Sequence, residues 1–305
     1  MSGARLIGLD WGTSACRAYL LGADGAVLER LTDGPGIMKV QQGRFGVWLD
    51  SMIGGWIATH GVVPVVLSGM IGSRQGWHEA PYAHCPAGAD ELVAGVARFE
   101  HDGLALAFVP GLSCENDGMP DVMRGEETQL YGLWLQSHAD RLCVLPGTHA
   151  KWAEIKGDGV AGFRTYMTGE VFANLSSTGT IAQLIRKDAP HDATAFRRGV
   201  AASEGQSAGG LLNRLFSART LGLFAELPGE AIASYLSGLL IGAEVRDALN
   251  TAGTSSQPIA VIGSARMNAL YLEGLALLGA KAEAIDGDTL LRPALLEIGR
   301  QAGLM

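Results

Sequence analysis

The chain has 305 residues, a formal charge of −8, 48% hydrophobic residues and only 18% charged ones. This composition excludes disorder as the main state, because disorder needs low hydrophobicity and high charge. It also argues against nucleic acid as a partner, since no basic stretch offsets phosphate repulsion. The length predicts roughly two domains. Glycine occurs 43 times, about twice its average usage of roughly 7%, without a collagen period. So many glycines fit tight turns and close backbone approaches in an α/β enzyme.

In chain order, residues 5–9 form a short apolar run ending at Asp10, followed by a glycine turn. Residues 17–21 and, after the Asp24-Gly25 turn signal, residues 26–31 complete a predicted antiparallel meander. Residues 62–67 and 104–109 read as buried strands, and 53–60 as helical. Residues 126–138 place Leu130, Leu133 and Trp134 on one helical face. A second unit begins at 141–145, again a short apolar strand, ending in Gly147-Thr148. It continues through a helix carrying Ile232, Tyr235, Leu236, Leu239, Leu240 and Ala243 on a buried face. Residues 258–262 form another strand, Gly263-Ser264 opens the next helix, and 293–302 form a terminal helix.

The run before Asp10 is too short for a signal peptide. The longest uncharged apolar stretches, 61–73 and 231–243, are about 13 residues, against about 20 for a membrane span. The chain is therefore expected to be cytoplasmic, without a membrane partner. Cys16, Cys85, Cys114 and Cys143 form no CxxC pair, so they read as reduced structural thiols.

Three segments suit phosphate or nucleotide. The first is Asp10-Trp11-Gly12-Thr13-Ser14 between two strands. It lacks the lysine and following helix of a GxxxxGK[ST] loop. Turn amides and the Thr13 and Ser14 hydroxyls can still face phosphate oxygens, and Asp10 can hold Mg²⁺ through water. In isolation the segment reads first as a hairpin turn. The second runs from Leu145 to Trp152 and contains Gly147, Thr148, His149 and Lys151. It matters because it repeats the Gly-Thr turn after a strand. The third, Gly263-Ser264 after a strand, leaves room for adenine and offers helix N-terminal amides; ordinary strand–helix packing explains it too.

In this order the three segments resemble the sugar kinase, heat-shock protein 70 and actin superfamily. Further motifs sharpen the resemblance: Ser68-Gly69-Met70-Ile71-Gly72-Ser73, Gly76-Trp77, Ala80-Pro81-Tyr82, residues 123–129 (MRGEETQ), 146–152 (PGTHAKW), 164–170 (RTYMTGE) and 237–244 (SGLLIGAE). Together they resemble the 2-dehydro-3-deoxygalactonokinase family, from Ile7 to about Asp288. The resemblance implies an α/β fold of two related ribonuclease H-like lobes of the actin-like ATPase type with an interlobe cleft. Residues 1–140 would hold the first phosphate turn, the sugar-acid site and the base. Residues 141–305 would hold the second turn and the adenosine site, with the last helix packing back on the first lobe. The implied reaction is ATP-dependent phosphorylation of the 6-hydroxyl of 2-dehydro-3-deoxy-D-galactonate in galactonate breakdown, with Mg²⁺. The alternatives are a kinase for the gluconate-derived epimer or another sugar acid, a non-catalytic actin-like binding module, and a polyphosphate hydrolase. A homodimer is left open.

In that superfamily the acid that takes the acceptor proton begins a helix between the two phosphate turns, where this chain has Glu126 and Glu127. Glu127 is favoured because it precedes Thr128 as the acid precedes threonine in the hexokinase-like pattern. Glu126, then Asp10, are the alternatives, and acids in a first helical turn also suit the helix dipole. Many relatives carry aspartate here, so glutamate is a departure. A sugar acid needs a cation for its carboxylate. Arg124 leads because its planar fork can hold both oxygens, and Lys151 and Arg164 compete. Ser68, Gly69, Ser73, Thr165 and Thr168 are candidates for the sugar hydroxyls, and Trp77 or Tyr82 for the carbon chain. His149 is read as a phosphate donor or as a residue that satisfies the turn, rather than as a base. His84-Cys85 lacks a third orienting group and is set aside as a nucleophile. Trp48, Trp56 and Trp134 read as packing residues.

Overall fold

A computed structural model describes residues 3–41, 43–204, 210–252 and 257–305. The chain divides into two units. The first comprises Met1–Asp140, Glu154–Phe163 and Gly287–Met305, and the second comprises Arg141–Ala153 and Arg164–Asp286.

The first unit opens with β1 (Ala4–Trp11), β2 (Ala15–Gly22) and β3 (Val27–Pro35), followed by α1 (Phe45–His60) and β4 (Val65–Ser68). Next come β5 (Tyr82–His84), β6 (Ala87–Gly88), α2 (Ala89–Ala94), β7 (Ala97–His101), β8 (Leu104–Phe108), β9 (Gly111–Asn116), β10 (Met119–Met123) and α3 (Glu126–Ser137). The main sheet has the order β3-β2-β1-β4-β8-β7, and β10-β9-β5 form a small second sheet. The first three strands pair antiparallel, as the turn signals predict, whereas β4 runs parallel to β1 and β8 parallel to β4.

Side chains alternate across this sheet. Ile7, Leu9 and Trp11 of β1 join Leu49, Ile53 and Trp56 of α1 in one core. The opposite face meets the terminal helix. Pro64 delays the start of β4 relative to the sequence reading, and its carbonyl accepts from Ile7 N–H at 3.0 Å.

The second unit contains β11 (Arg141–Leu145), β12 (Ala150–Lys156), β13 (Gly159–Tyr166), α4 (Thr168–Ser177), α5 (Gly179–Ala182), α6 (Ala193–Ala202), α7 (Gly210–Leu215), α8 (Ser217–Leu223), α9 (Gly229–Thr251), β14 (Ile259–Ile262), α10 (Ala265–Leu277) and β15 (Ala282–Ile285). Strands β12 and β13 change unit midway along their length. The sheet runs β15-β14-β11-β12-β13, with β11, β14 and β15 parallel. One core lies against this sheet and includes Phe196, Ile241, Val245, Tyr271 and Leu275. The other gathers α9 with Ile181, Ala195 and Ala218.

The chain ends in α11 (Gly287–Gln301), which belongs to the first unit. The sequence alone predicts a terminal helix over 293–302. Instead Pro293 lies inside α11, whose first turn is Gly287-Asp288. Leu290, Leu291, Leu295 and Ile298 are buried. A side chain at Gly132 of α3 would have its Cβ 2.0 Å from the Leu290 carbonyl oxygen, so only glycine allows this helix contact. Among the described residues no helix is long and apolar enough to cross a membrane.

Gly132→Ala is expected to force α3 and α11 apart and cost about 1–3 kcal/mol, the usual range for overpacking. Denaturant unfolding measures it; a variant as stable as wild type would show that the contact relaxes freely.

Candidate active site

In the first unit the parallel pairing of β1 and β4 sets Asp10 beside Ser68. Parallel α/β sheets bind ligands at this carboxyl edge. The turn after β1 is tight: Gly12 N–H donates to the Ala15 carbonyl at 3.0 Å, and Thr13 and Ser14 are exposed. The chain after β3 lies on it, with Ile37 N–H donating to Gly12 O at 3.0 Å and Met38 N–H to Thr13 O at 3.2 Å. A Cβ at Gly36 would stand 2.3 Å from the Thr13 oxygen, so Gly36 allows this approach. Gly69, at φ 93°, turns the chain away from β4. A Cβ there would lie 2.9 Å from Trp11 O and 3.2 Å from Asp10 Oδ1. A Cβ at Gly125 would lie 3.3 Å from Gly69 Cα, so this turn brings the start of α3 to the same edge.

Three carboxylates gather there. Burial pushes the Asp10 carboxyl up to about 6; the charges of Glu126 and Asp288 add to this, and Arg17 opposes it. Arg17 stands opposite Asp10 across β1–β2 and forms an ion pair with Asp288 of α11.

The two glutamates differ. Glu126 is half-buried, and its Oε2 accepts from Arg124 N–H at 3.1 Å. Glu127 is 1% exposed. Its Oε2 accepts from Gly125 N–H at 2.6 Å, and its Oε1 accepts from the Thr128 hydroxyl at 3.0 Å and the Ser68 hydroxyl at 3.4 Å. Burial, then the Glu126 charge, push its carboxyl up to about 7 against these hydrogen bonds. Glu127 is thus enclosed, and it lines a small cavity with Leu92, Leu130 and Tyr131.

Arg124 is 8% exposed. Its Nη2 donates to Ala80 O at 2.8 Å and Pro81 O at 3.3 Å, while Nε and Nη1 have no acceptor. The Tyr82 ring, 42% exposed, covers the guanidinium at 4.3 Å. Two other sequence candidates are engaged elsewhere. The Ser73 hydroxyl donates to Met70 O within its own turn at 2.7 Å. Trp77, half-buried, packs on Phe99, His101 and Phe108 with centroids 5.7, 5.1 and 6.2 Å away. Burial also pushes the Cys85 thiol up to about 12, which leaves His84-Cys85 without a thiolate. All four cysteines are buried, and none is in a disulfide.

In the second unit Gly147, Thr148 and His149 are exposed at the end of β11. The start of α4 holds this turn. Glu170 N–H donates to Thr148 O at 2.9 Å, and His149 Nε2 meets Glu170 Oε2 at 2.5 Å. A Cβ at Gly169 would be 2.2 Å from Gly147 O. Lys151 is 5% exposed, and its ammonium donates to His149 O at 3.2 Å. Arg164 and Thr165 sit half-buried at the end of β13, just before Thr168 opens α4. Gly263 lies beside Pro146, and the Ser264 hydroxyl caps α10 by accepting from Met267 N–H at 3.4 Å. The second and third candidate segments are therefore neighbours. Arg17, Gly36 and Asp288 carry no local sequence signal for a site, whereas Glu244 closes the 237–244 segment.

Two α/β units, each with a Gly-Thr turn after its leading strand, define the fold shared by actin-like ATPases and sugar kinases. Solved structures only 10–13% identical match it at TM-scores of 0.51 and 0.52. The chain belongs to the 2-keto-3-deoxy-galactonokinase family, whose model matches residues 10–298. It is 34% identical over 295 residues to a Rhizobium meliloti (strain 1021) protein assigned as a 2-dehydro-3-deoxygalactonokinase, covering 96% of this chain and 95% of that one. The 2-dehydro-3-deoxygalactonokinase of Escherichia coli (strain K12) is 31% identical over 295 residues, covering 97% of each. A crystal structure of a Sinorhizobium meliloti protein assigned to the same activity matches with a TM-score of 0.89 at 31% identity, covering 97% of this chain and 98% of that chain.

The raised carboxyl of Glu127 makes a pH prediction. Between its ordinary value of 4.5 and about 7, folded Glu127 holds a proton that the unfolded chain has released. Its burial therefore costs nothing at low pH and costs increasingly as pH rises through that window. Glu127→Gln removes this cost, so its stability relative to wild type should rise by on the order of 3 kcal/mol from pH 4.5 to 8. Denaturant unfolding of both proteins across that range measures the difference; parallel profiles would refute the burial argument.

Proposed function

We propose that this chain transfers the γ-phosphoryl group of ATP to the 6-hydroxyl of 2-dehydro-3-deoxy-D-galactonate, releasing ADP. Family membership supports the activity. The observation that carries the substrate reading is Arg124: a buried guanidinium with two donors lacking acceptors. Such donors are costly to leave unmet, and the planar fork matches a carboxylate. The carboxylate of the sugar acid supplies the acceptors, and the exposed Tyr82 ring moves or slides to admit it.

Glu126 takes the proton of the acceptor hydroxyl. It is accessible and beside Asp10, whereas Glu127 is enclosed and positions the Gly125 turn and Ser68. As that proton leaves, the 6-oxygen forms a bond to the γ-phosphorus, and the bond from the γ-phosphorus to the oxygen shared with the β-phosphate breaks. The charge spreads over phosphoryl oxygens, so stabilisation is mainly electrostatic. Amides and hydroxyls at Gly12, Thr13 and Ser14, and at Gly147, Thr148 and His149, suit those oxygens, with Gly263 and Ser264 beside the adenosine. Asp10 suits Mg²⁺ held through water, since hard cations prefer carboxylate oxygen and burial, then the nearby Glu126 and Asp288 charges, raise its carboxyl. Bound there, the ion would neutralise charge on the phosphates. Lys151, Arg164, Thr165 and Thr168 sit around the second turn, so they suit phosphate or turn support better than the sugar carboxylate.

Glu126→Gln is expected to lower kcat by about 10²–10⁴-fold with nucleotide affinity kept, the usual contribution of general-base catalysis. A coupled ADP-release assay with the sugar acid measures it; near-normal turnover would move the base elsewhere. Arg124→Ala is expected to raise KM for the sugar acid by about tenfold or more, as loss of a charged hydrogen-bond donor does, and KM for ATP much less. Equal increases would sink the carboxylate assignment.

A further inference from the structure

Glu244 lies in the buried stretch of α9, and its side chain is not part of the surface that meets ligand: the residue is 3% exposed. A carboxylate so placed loses its hydration and is tolerated only where donors replace the water. Three neutral donors do so. Trp152 Nε1–H and the Tyr271 hydroxyl each donate at 2.8 Å, and the Thr168 hydroxyl supplies the third bond. Burial raises the carboxyl, and all three bonds draw it back down.

Each donor belongs to a different segment of the nucleotide-handling region. Trp152 follows Lys151 on β12, the strand that leaves the second phosphate turn. Thr168 opens α4, whose Gly169 lies against Gly147 and whose Glu170 amide holds Thr148 O. Tyr271 is on α10, which begins just after Gly263-Ser264. Trp152 and Tyr271 are themselves 4% and 1% exposed, so neither has water as an alternative partner.

We propose that Glu244 is a positioning residue for the nucleoside triphosphate: by bonding β12, α4 and α10 at once, it holds the second phosphate turn and the adenosine segment in one frame. The inference rests on the nucleotide reading given above. Glu244 acts through the segments it joins, so its loss should weaken nucleotide binding and leave sugar-acid recognition in the first unit unchanged.

The test uses the full chain, with calorimetric titration of β,γ-imido-ATP and Mg²⁺, and steady-state KM values for ATP and the sugar acid. Glu244→Gln replaces an acceptor oxygen by an amide that faces donors. Its nucleotide Kd is expected to rise about 10–100-fold, the range for lost charged hydrogen bonds, with sugar-acid KM within about twofold. Tyr271→Phe removes one donor and should give a smaller rise of the same kind. If Glu244→Gln does not fold, Tyr271→Phe decides by the same criterion. A nucleotide Kd within about twofold of wild type, or equal rises in both KM values, overturns the proposal, since one lost charged bond should exceed that. Thr148→Ala separates the two levels. Weakened binding there beside an unaffected Glu244→Gln defeats the Glu244 inference alone. Unaffected binding in both defeats the phosphate reading of the turn as well.

Discussion

Burial of the Asp10 carboxylate at the end of β1, with other charged groups beside it, is the constraint on which the first unit depends. Asp10, Glu126 and Asp288 come from three segments that are far apart in the chain, and Arg17 is the cation set against them. Carboxylates at such a point repel, and burial weakens their solvation, so packing elsewhere must hold them together. That packing is visible. α11 brings Asp288, and it lies against α3 where Gly132 lets the helices approach. α3 in turn brings Glu126, through the Gly125 turn that Glu127 ties down. The apolar faces of α3, α11 and β1 keep this edge in place.

Much of this framework was legible in the sequence. The meander 5–31, the strands at 141–145 and 258–262 and the helix at 126–138 follow from apolar runs bounded by turn residues. Asp10, the Gly-Thr turns and Arg124 stand inside those motifs. What stayed hidden depended on contacts distant in sequence. Gly36 matters because its backbone lies on Thr13, and Asp288 because it meets Arg17; neither leaves a local pattern. Trp77 reads the same beside a turn whether its ring faces a ligand or a core, and here the core holds it. The helices between 168 and 223 are at most 10 residues long, so each apolar period is too brief to stand apart from loop. Glu126 and Glu127 carry the same side chain in adjacent positions. Only the roughly 100° rotation between neighbouring helical residues sends one to the edge and the other inward.

The two units handle a buried charge in opposite ways, and the contrast follows their tasks. In the second unit Glu244 is met by three donors from the protein itself, so its frame is complete before any ligand arrives. Such preorganisation suits a triphosphate, because turn amides stabilise transferring charge best when they need not rearrange. In the first unit Arg124 keeps two donors without acceptors, beneath a tyrosine ring that is itself exposed. On the proposed reading, that half is completed by the sugar acid. A guanidinium left short of acceptors favours an anion of matching shape and penalises a neutral sugar, which cannot supply the missing oxygens. On the proposed reading, selectivity for an acid over a simple hexose would arise from what Arg124 lacks, at a cost in stability only while the site is empty.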